Sequence, residues 1–237
     1  MADIRIIHGD CMEAMKKMPD KAFDLAICDP PYGINLKGKN IIPNPNDIKD
    51  FNTEWDKSIP SKDYFNELVR VSKEQIIWGG NHYLDYLGFC KAPIVWDKLN
   101  GDSPYADGEF AWTSKGLPRN LKIFRHQWCG AFKASERGVI NIHPTQKPVA
   151  LYQWLLKNYA KPGDRILDTH GGSCSLAIAC DIMGFDATIY EIDADYYKAA
   201  IERFERHKRQ PTFDLFNINK VRLNRRVLKR RQHNGKV

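Results

Sequence analysis

The sequence lacks the marks of several protein classes. No apolar run approaches the length of a membrane span, and the amino end, Met1-Ala2-Asp3, does not read as a signal peptide. No membrane partner is expected, and a cytoplasmic location is. The six cysteines, at 11, 28, 90, 129, 174 and 180, form no C-x-x-C pair. That argues against a zinc site or a disulfide framework, and no metal is expected. Neither G-x-G-x-x-G nor G-x-x-x-x-G-K-[ST] occurs, which disfavours a dinucleotide or a triphosphate ligand. Internal repeats and low-complexity tracts are absent too. What remains is a chain of 237 residues, 43% of them hydrophobic, long enough to bury one sizeable core.

Acidic residues are scarce at the carboxyl end. Arg206 to Val237 holds 11 Lys/Arg against one acid, Asp214. The whole chain carries +7, so this tail accounts for +10 and the preceding body for about −3. A basic tail on a near-neutral body is an electrostatic footprint for a phosphate backbone; the alternative is a solvated tail with no partner.

The most informative feature is Asp29-Pro30-Pro31-Tyr32, which follows the apolar run Phe23 to Cys28. That run reads as a buried strand, and ligands bind past the carboxyl ends of strands in open α/β sheets. The prolines fix φ and carry no N–H, so their carbonyls are expected to face outward as acceptors. With Asp29 as a further acceptor and Tyr32 as a π-face, the turn suits a planar amide or nucleobase bearing an exocyclic NH2. The bland alternative is a stiff strand-to-loop turn.

A second constellation is β–Gly turn–α–β–acid. Arg165 to Asp168 reads as a strand, Thr169-His170-Gly171-Gly172-Ser173 as a turn, and the following residues to Met183 as a helix capped by Ser173 or Ser175. The next strand, Ala187 to Ile192, carries Glu191, 23 residues after Asp168. That spacing suits a ribose-binding carboxylate in a nucleoside site. A nucleoside without phosphates, such as S-adenosylmethionine, fits the turn better than a nucleotide; the alternative is an ordinary βαβ unit whose glycines only permit packing.

Together with His143-Pro144-Thr145-Gln146-Lys147-Pro148, these motifs resemble the DNA amino-methyltransferases. The catalytic motif precedes the cofactor turn, as in the circularly permuted β-class. More narrowly, the chain resembles small phage or prophage adenine methylases along Ile94 to Lys98, Ala106 to Ser114 and His143 to Gly163, with likeness running over about residues 4 to 205. The resemblance implies an α/β fold with a doubly wound, mostly parallel, Rossmann-like sheet, S-adenosylmethionine as cofactor, DNA as partner, and a monomer or homodimer. It implies methylation of adenine N6 with base flipping, with Asp29, Pro30, Pro31 and Tyr32 as the catalytic set. Cytosine N4 is the alternative acceptor, disfavoured because cytosine enzymes more often carry Ser at the position of Asp29. A relative that binds DNA but has lost catalysis is the alternative of another class. The implied cofactor set is Asp10, Cys11, His143, Thr145, Lys147, Asp168, Gly171, Ser173 and Glu191. In it an acid at Asp10 lies near the cofactor's adenine, and Thr145 and Lys147 lie near its methionine end. One departure stands out: Cys174 occupies a place usually held by Gly, where a side chain is expected to crowd the cofactor if the backbone needs φ > 0.

Several of these residues have plain structural readings as well. Asp10 is placed to cap a helix from Met12 to Met18, and Thr145 to cap a Pro-led helix. Trp96 and Trp112 suit the core as well as a base pocket, and His82 reads as a turn residue. Further strands are expected at Arg5 to His8, Gln75 to Trp78 and Pro93 to Trp96, and helices at Asp63 to Ser72 with Ser61 as cap, Lys147 to Tyr159 and Asp195 to Lys208. Residues 33 to 54 read as a mobile loop and 99 to 142 as an irregular target-recognition insertion. Residues 1–205 then form the catalytic domain and 206–237 the basic tail.

Overall fold

The computed structural model describes residues 2–35, 53–101, 106–117, 120–129 and 132–210. Most of the loop read at 33 to 54, and the tail beyond Gln210, lie outside the described residues. The chain divides into a unit Met1–Phe204 and a second unit Glu205–Val237. No described helix is long and apolar enough to cross a membrane.

The elements run β1 (Ile4–His8), α1 (Cys11–Met15), β2 (Phe23–Cys28), α2 (Lys62–Val71), β3 (Ser72–Trp78), α3 (Leu84–Leu87), β4 (Ile94–Asp97) and β5 (Gly108–Thr113). Then follow β6 (Lys122–Arg125), β7 (Trp128–Cys129), β8 (Phe132–Lys133), α4 (Val149–Tyr159), β9 (Ile166–Asp168), α5 (Ser175–Met183), β10 (Ala187–Glu191) and α6 (Ala194–Arg209). Among the described residues the main sheet has eight strands, in the order β1-β10-β9-β2-β3-β5-β4-β6. All neighbours are parallel except β5, which is antiparallel to both β3 and β4.

Alternation along the strands explains the two covered faces. On β2, Leu25 and Ile27 point into one apolar layer with Leu155 of α4, Leu176 of α5 and Phe204 of α6. Ala26 and Cys28 point into the other, with Met15 of α1 and Tyr64, Phe65, Leu68 and Val71 of α2. A strand buried on both faces reads as a continuous apolar run, as Phe23 to Cys28 does. In α2 the buried residues recur at helical spacing while Asp63, Glu67 and Arg70 stay on the other side. The chain order reverses between β9 and β2, and the carboxyl ends of β1, β10, β9 and β2 share one edge there.

Four strands, β5 to β8, replace the irregular stretch expected over 99 to 142. β5 is an interior strand whose partners lie on either side of it in the sheet, so its local sequence carries little of the signal. Trp96 and Trp112 are core residues, 1% and 8% exposed. α2 stops one residue earlier than expected because Ser72 already begins β3, with its hydroxyl donating to Leu68 O. Ser61 stands at the amino end of α2 without a side-chain capping bond.

Candidate active site

The turn after β2 is held from several sides. Tyr32 Oη donates to Asp29 Oδ1 at 2.7 Å. The backbone amides of Tyr32 and Gly33 donate to Asp56 Oδ1 at 3.0 and 3.1 Å. His82 stacks on the Tyr32 ring at 5.0 Å between centroids, so it is more than the turn residue expected. Gly79, at φ 68°, passes so close that a Cβ there would lie 2.2 Å from Tyr32 Cε1. Both its backbone angle and the ring require glycine. The proline carbonyls differ from expectation: the buried Tyr83 hydroxyl lies 2.7 Å from both Pro30 O and Pro31 O and shares its one proton between them. A local donor therefore competes for acceptors expected to be free, and Asp29 is the main acceptor facing outward.

The resemblance puts Lys147 at the methionine end of the cofactor, but its ammonium pairs with Asp29 Oδ2 and lies 3.0 Å from Glu109 Oε2. Lys98 closes the group at 2.5 Å from Glu109 Oε1. Burial acts to raise Glu109, yet Lys147 and Lys98 outweigh it and hold its carboxyl down to about 2. Burial dominates at Asp29, and Lys147 only partly opposes it, so its pKa stands above the ordinary carboxylate value. Asp29 is thus the more basic of the two acids.

At the carboxyl end of β10, Glu191 spans a turn. Its Oε2 accepts from Gly172 N at 2.7 Å and its Oε1 from Asp193 N at 2.8 Å, leaving lone pairs on both oxygens. Asp168 is buried, and its Oδ1 accepts from His170 N at 3.0 Å. Burial pushes its carboxyl up to about 7. Cys174 does adopt φ 53°, but its thiol packs into the core, so the expected crowding does not arise. Cys174, in the left-handed region, also takes the cap position of α5 that Ser173 or Ser175 was expected to hold. Ser175 instead donates its hydroxyl to Lys147 O at 2.7 Å and accepts from Arg203 at 2.9 Å. Arg203 also binds Ser173 O at 2.7 Å and Glu136 Oε1 at 2.7 Å, tying the turn to α6. α4 starts two residues later than expected, after Pro148, and Val149 N donates to Glu136 Oε2 at 3.0 Å.

His143 lies between Trp55, stacked at 5.3 Å, and Tyr196, edge-on at 4.4 Å. Burial, with Lys147 adding to it, lowers its pKa to about 3, so the ring is neutral. Thr145 does not cap a helix; its hydroxyl lies 3.2 Å from His143 Nδ1. Asp10 caps α1 by accepting from Met12 N at 2.7 Å.

These parts surround a two-lobed cleft. One lobe, about 240 Å³, is lined by Asp29 and Pro31 from the first motif, His143, Thr145 and Lys147 from the second, and Gly171, Ser173 and Glu191 from the third. The other, about 290 Å³, is lined by Asp10 and Cys11. Pro31, Trp55, His170, Glu191 and Ile192 line both lobes and form the waist. Pro30, Tyr32 and Asp168 line neither and support the walls. Sequence reasoning missed Trp55, Asp56, Glu109, His170 and Tyr196. Glu109 and His170 sit inside stretches already singled out, whereas Trp55, Asp56 and Tyr196 carry no local signal.

Residues 91–202 match the DNA methylase family. The type II methyltransferase M.HinfI of Haemophilus influenzae is 24% identical over 249 residues, covering 87% of this chain and 69% of that protein. The fold is similar to a crystal structure of an M1.HpyAVI–SAM complex, with a TM-score of 0.55 at 21% identity over 84% of this chain and 99% of the other. It is also similar to the cytosine-N4-specific PvuII DNA methyltransferase, with a TM-score of 0.56 at 14% identity over 86% and 87% of the two chains. Three separated motifs gather at one cleft, and the chain is similar in sequence to DNA methylases over residues 91–202 and to a type II methyltransferase over most of its length.

Proposed function

We propose that this chain transfers a methyl group from S-adenosylmethionine to the exocyclic N6 of adenine in DNA, with the target base flipped out of the duplex. The observation that carries the reading is that Asp29 and Glu191 line one lobe of the cleft. An acceptor for an amino group and an acceptor for sugar hydroxyls open into the same space. The donor set fits the cofactor: Glu191 retains lone pairs for a ribose, Asp10 and Cys11 line the far lobe for the adenine, and aromatic rings flank the waist. When bound, S-adenosylmethionine supplies a methyl group on a positively charged sulfur.

The remaining work falls to the chain's own residues. Asp29 accepts from the amino group of the base and turns the nitrogen lone pair toward the methyl carbon; positioning of this kind accounts for most of the rate. As the N–C bond forms and the C–S bond breaks, the nitrogen becomes cationic, and its surplus proton passes to Asp29 or water. The flipped base stacks on Tyr32, whose ring His82 already contacts and over which Lys147 Nζ lies at 5.7 Å, so the base must displace one of them. The basic residues beyond Arg206 supply contacts to the DNA backbone. A cytoplasmic monomer or homodimer suits this role.

The test is methyl transfer by purified protein from labelled S-adenosylmethionine to DNA of varied sequence, with nucleoside mass spectrometry of the product. N6-methyladenine is expected. N4-methylcytosine would move the acceptor to the other amino-bearing base. Salt-sensitive DNA binding with neither cofactor heat nor methyl transfer would identify a binder that has lost catalysis.

A further inference from the structure

At the waist of the cleft, His170 belongs to a buried hydrogen-bonded chain. Tyr64 Oη lies 2.7 Å from Thr169 Oγ1, and Thr169 Oγ1 lies 2.9 Å from His170 Nδ1. Tyr64 is 2% exposed and Thr169 3%. The direction of the chain follows from where protons can go. Tyr64 has Thr169 Oγ1 as its near acceptor, since His170 Nδ1 is 3.5 Å away and the neighbouring Cys28 thiol is a weak one. If Tyr64 donates to Thr169, then Thr169 donates to His170 Nδ1. With a proton on Nδ1 instead, Thr169 Oγ1 would accept from both neighbours, and its own buried proton would be left with the Cys28 thiol, a weak acceptor, which is costly. Nδ1 is therefore the acceptor, and the proton of the ring sits on Nε2. Burial lowers the pKa of this imidazole to about 4, so it carries that single proton at neutral pH. Among the described residues Nε2 has no hydrogen-bond partner, and His170 lines both lobes of the cleft.

We infer that His170 donates its Nε2–H to a ribose hydroxyl of the cofactor, while Glu191, which lines the same two lobes, accepts from one. This deepens the cofactor assignment and rests on the reading of the cleft as an S-adenosylmethionine site. A ribose diol offers both donors and acceptors, so a site with one acceptor and one neutral donor is complementary to it. A donor that keeps its proton over a wide pH range grips the sugar without placing a positive charge near the sulfonium. The tautomer is set by Tyr64 and Thr169, which makes them positioning residues.

Two measurements test this. Nitrogen-15 NMR of the whole protein without ligand should show the His170 ring protonated on Nε2, and Thr169→Val should release that preference; a proton on Nδ1 in the wild type overturns the inference. Calorimetry should compare S-adenosylmethionine with 5′-methylthioadenosine, which keeps the ribose and lacks the amino-acid end. His170→Phe should weaken both by about 5- to 10-fold, the worth of one hydrogen bond. His170→Gln, which keeps an amide donor near Nε2, should recover most of the loss. Unchanged binding by His170→Phe, or a loss confined to S-adenosylmethionine, contradicts a ribose contact. If the wild type binds neither compound, the cofactor reading itself fails, and the assignment of His170 to a ribose goes with it.

Discussion

Lys147 Nζ rests on Asp29 Oδ2, and Glu109 Oε2 lies 3.0 Å from the same ammonium. In the proposed reading the ammonium stands on the acceptor for the incoming amino group, and Glu109 offers it a second seat. Lys147→Met should leave two buried carboxylates facing each other, and removal of one partner of a buried pair costs about 3–5 kcal/mol. The loss should be larger at pH 8 than at pH 5, where one of the acids can take up a proton. Thermal melts at the two pH values check this. Glu109→Gln should keep the fold and the cofactor affinity but lower the methyl-transfer rate, because Lys147 then stays wholly on Asp29. A rate equal to wild type would show that Glu109 plays no part in freeing Asp29.

Asp168 makes stability depend on pH in a direction unusual for an aspartate. Its carboxyl is raised from 3.8 to about 7, so the folded state holds the proton more tightly than the unfolded chain. The resulting stabilisation is complete below about pH 4 and is lost as pH rises through 7. Asp168→Asn keeps an oxygen for His170 N and cannot ionise. It should match wild type near pH 4 and exceed it at pH 8, by up to roughly 1.4 kcal/mol for each unit of the shift. Urea unfolding at the two pH values measures the difference.

Cys174→Gly should leave both stability and cofactor affinity close to wild type. Glycine relieves a left-handed backbone that costs about 1–2 kcal/mol for other residues. It also gives up a buried side chain worth about 1 kcal/mol. The thiol does not line the cleft, so affinity should change by less than a factor of two or so, as titration calorimetry would show.

The chain from Asn219 to Val237 holds Lys220, Arg222, Arg225, Arg226, Lys229, Arg230, Arg231 and Lys236. Its deletion should leave the cofactor site intact, weaken DNA binding and flatten the salt dependence by about 0.9 in log–log slope for each phosphate that is no longer neutralised. Binding at two salt concentrations decides this. An unchanged slope would place the DNA-binding surface on the body of the protein.

Local pattern and tertiary placement divide the site unevenly. β2 spans Phe23–Cys28, the bounds its apolar run predicts, because a strand buried on both faces declares itself. Asp29 follows one strand of the parallel sheet and Glu191 ends another, and both are legible from strand-then-acid spacing alone. The partner of Lys147 is not, since its choice of Asp29 and Glu109 over a ligand depends on β5 lying beside β3. β5 itself is hidden because both its pairings are antiparallel insertions into an otherwise parallel sheet. The occupied carbonyls of Pro30 and Pro31 are illegible for a similar reason: Tyr83 reaches them across 53 and 52 residues of chain.

The central claim is a division of labour within one lobe of the cleft, with Asp29 facing the target amino group and Glu191 holding the cofactor. Paired measurement of S-adenosylmethionine affinity and methyl transfer in Asp29→Ala and Glu191→Gln tests it most directly. Asp29→Ala should abolish transfer and keep cofactor affinity within a few-fold of wild type. Glu191→Gln, which keeps an acceptor for one of the two backbone amides, should weaken the cofactor by about 1–3 kcal/mol, the worth of charge-assisted hydrogen bonds. Transfer should return when cofactor is raised to saturation. Cofactor binding abolished in Asp29→Ala and retained in Glu191→Gln would contradict the account.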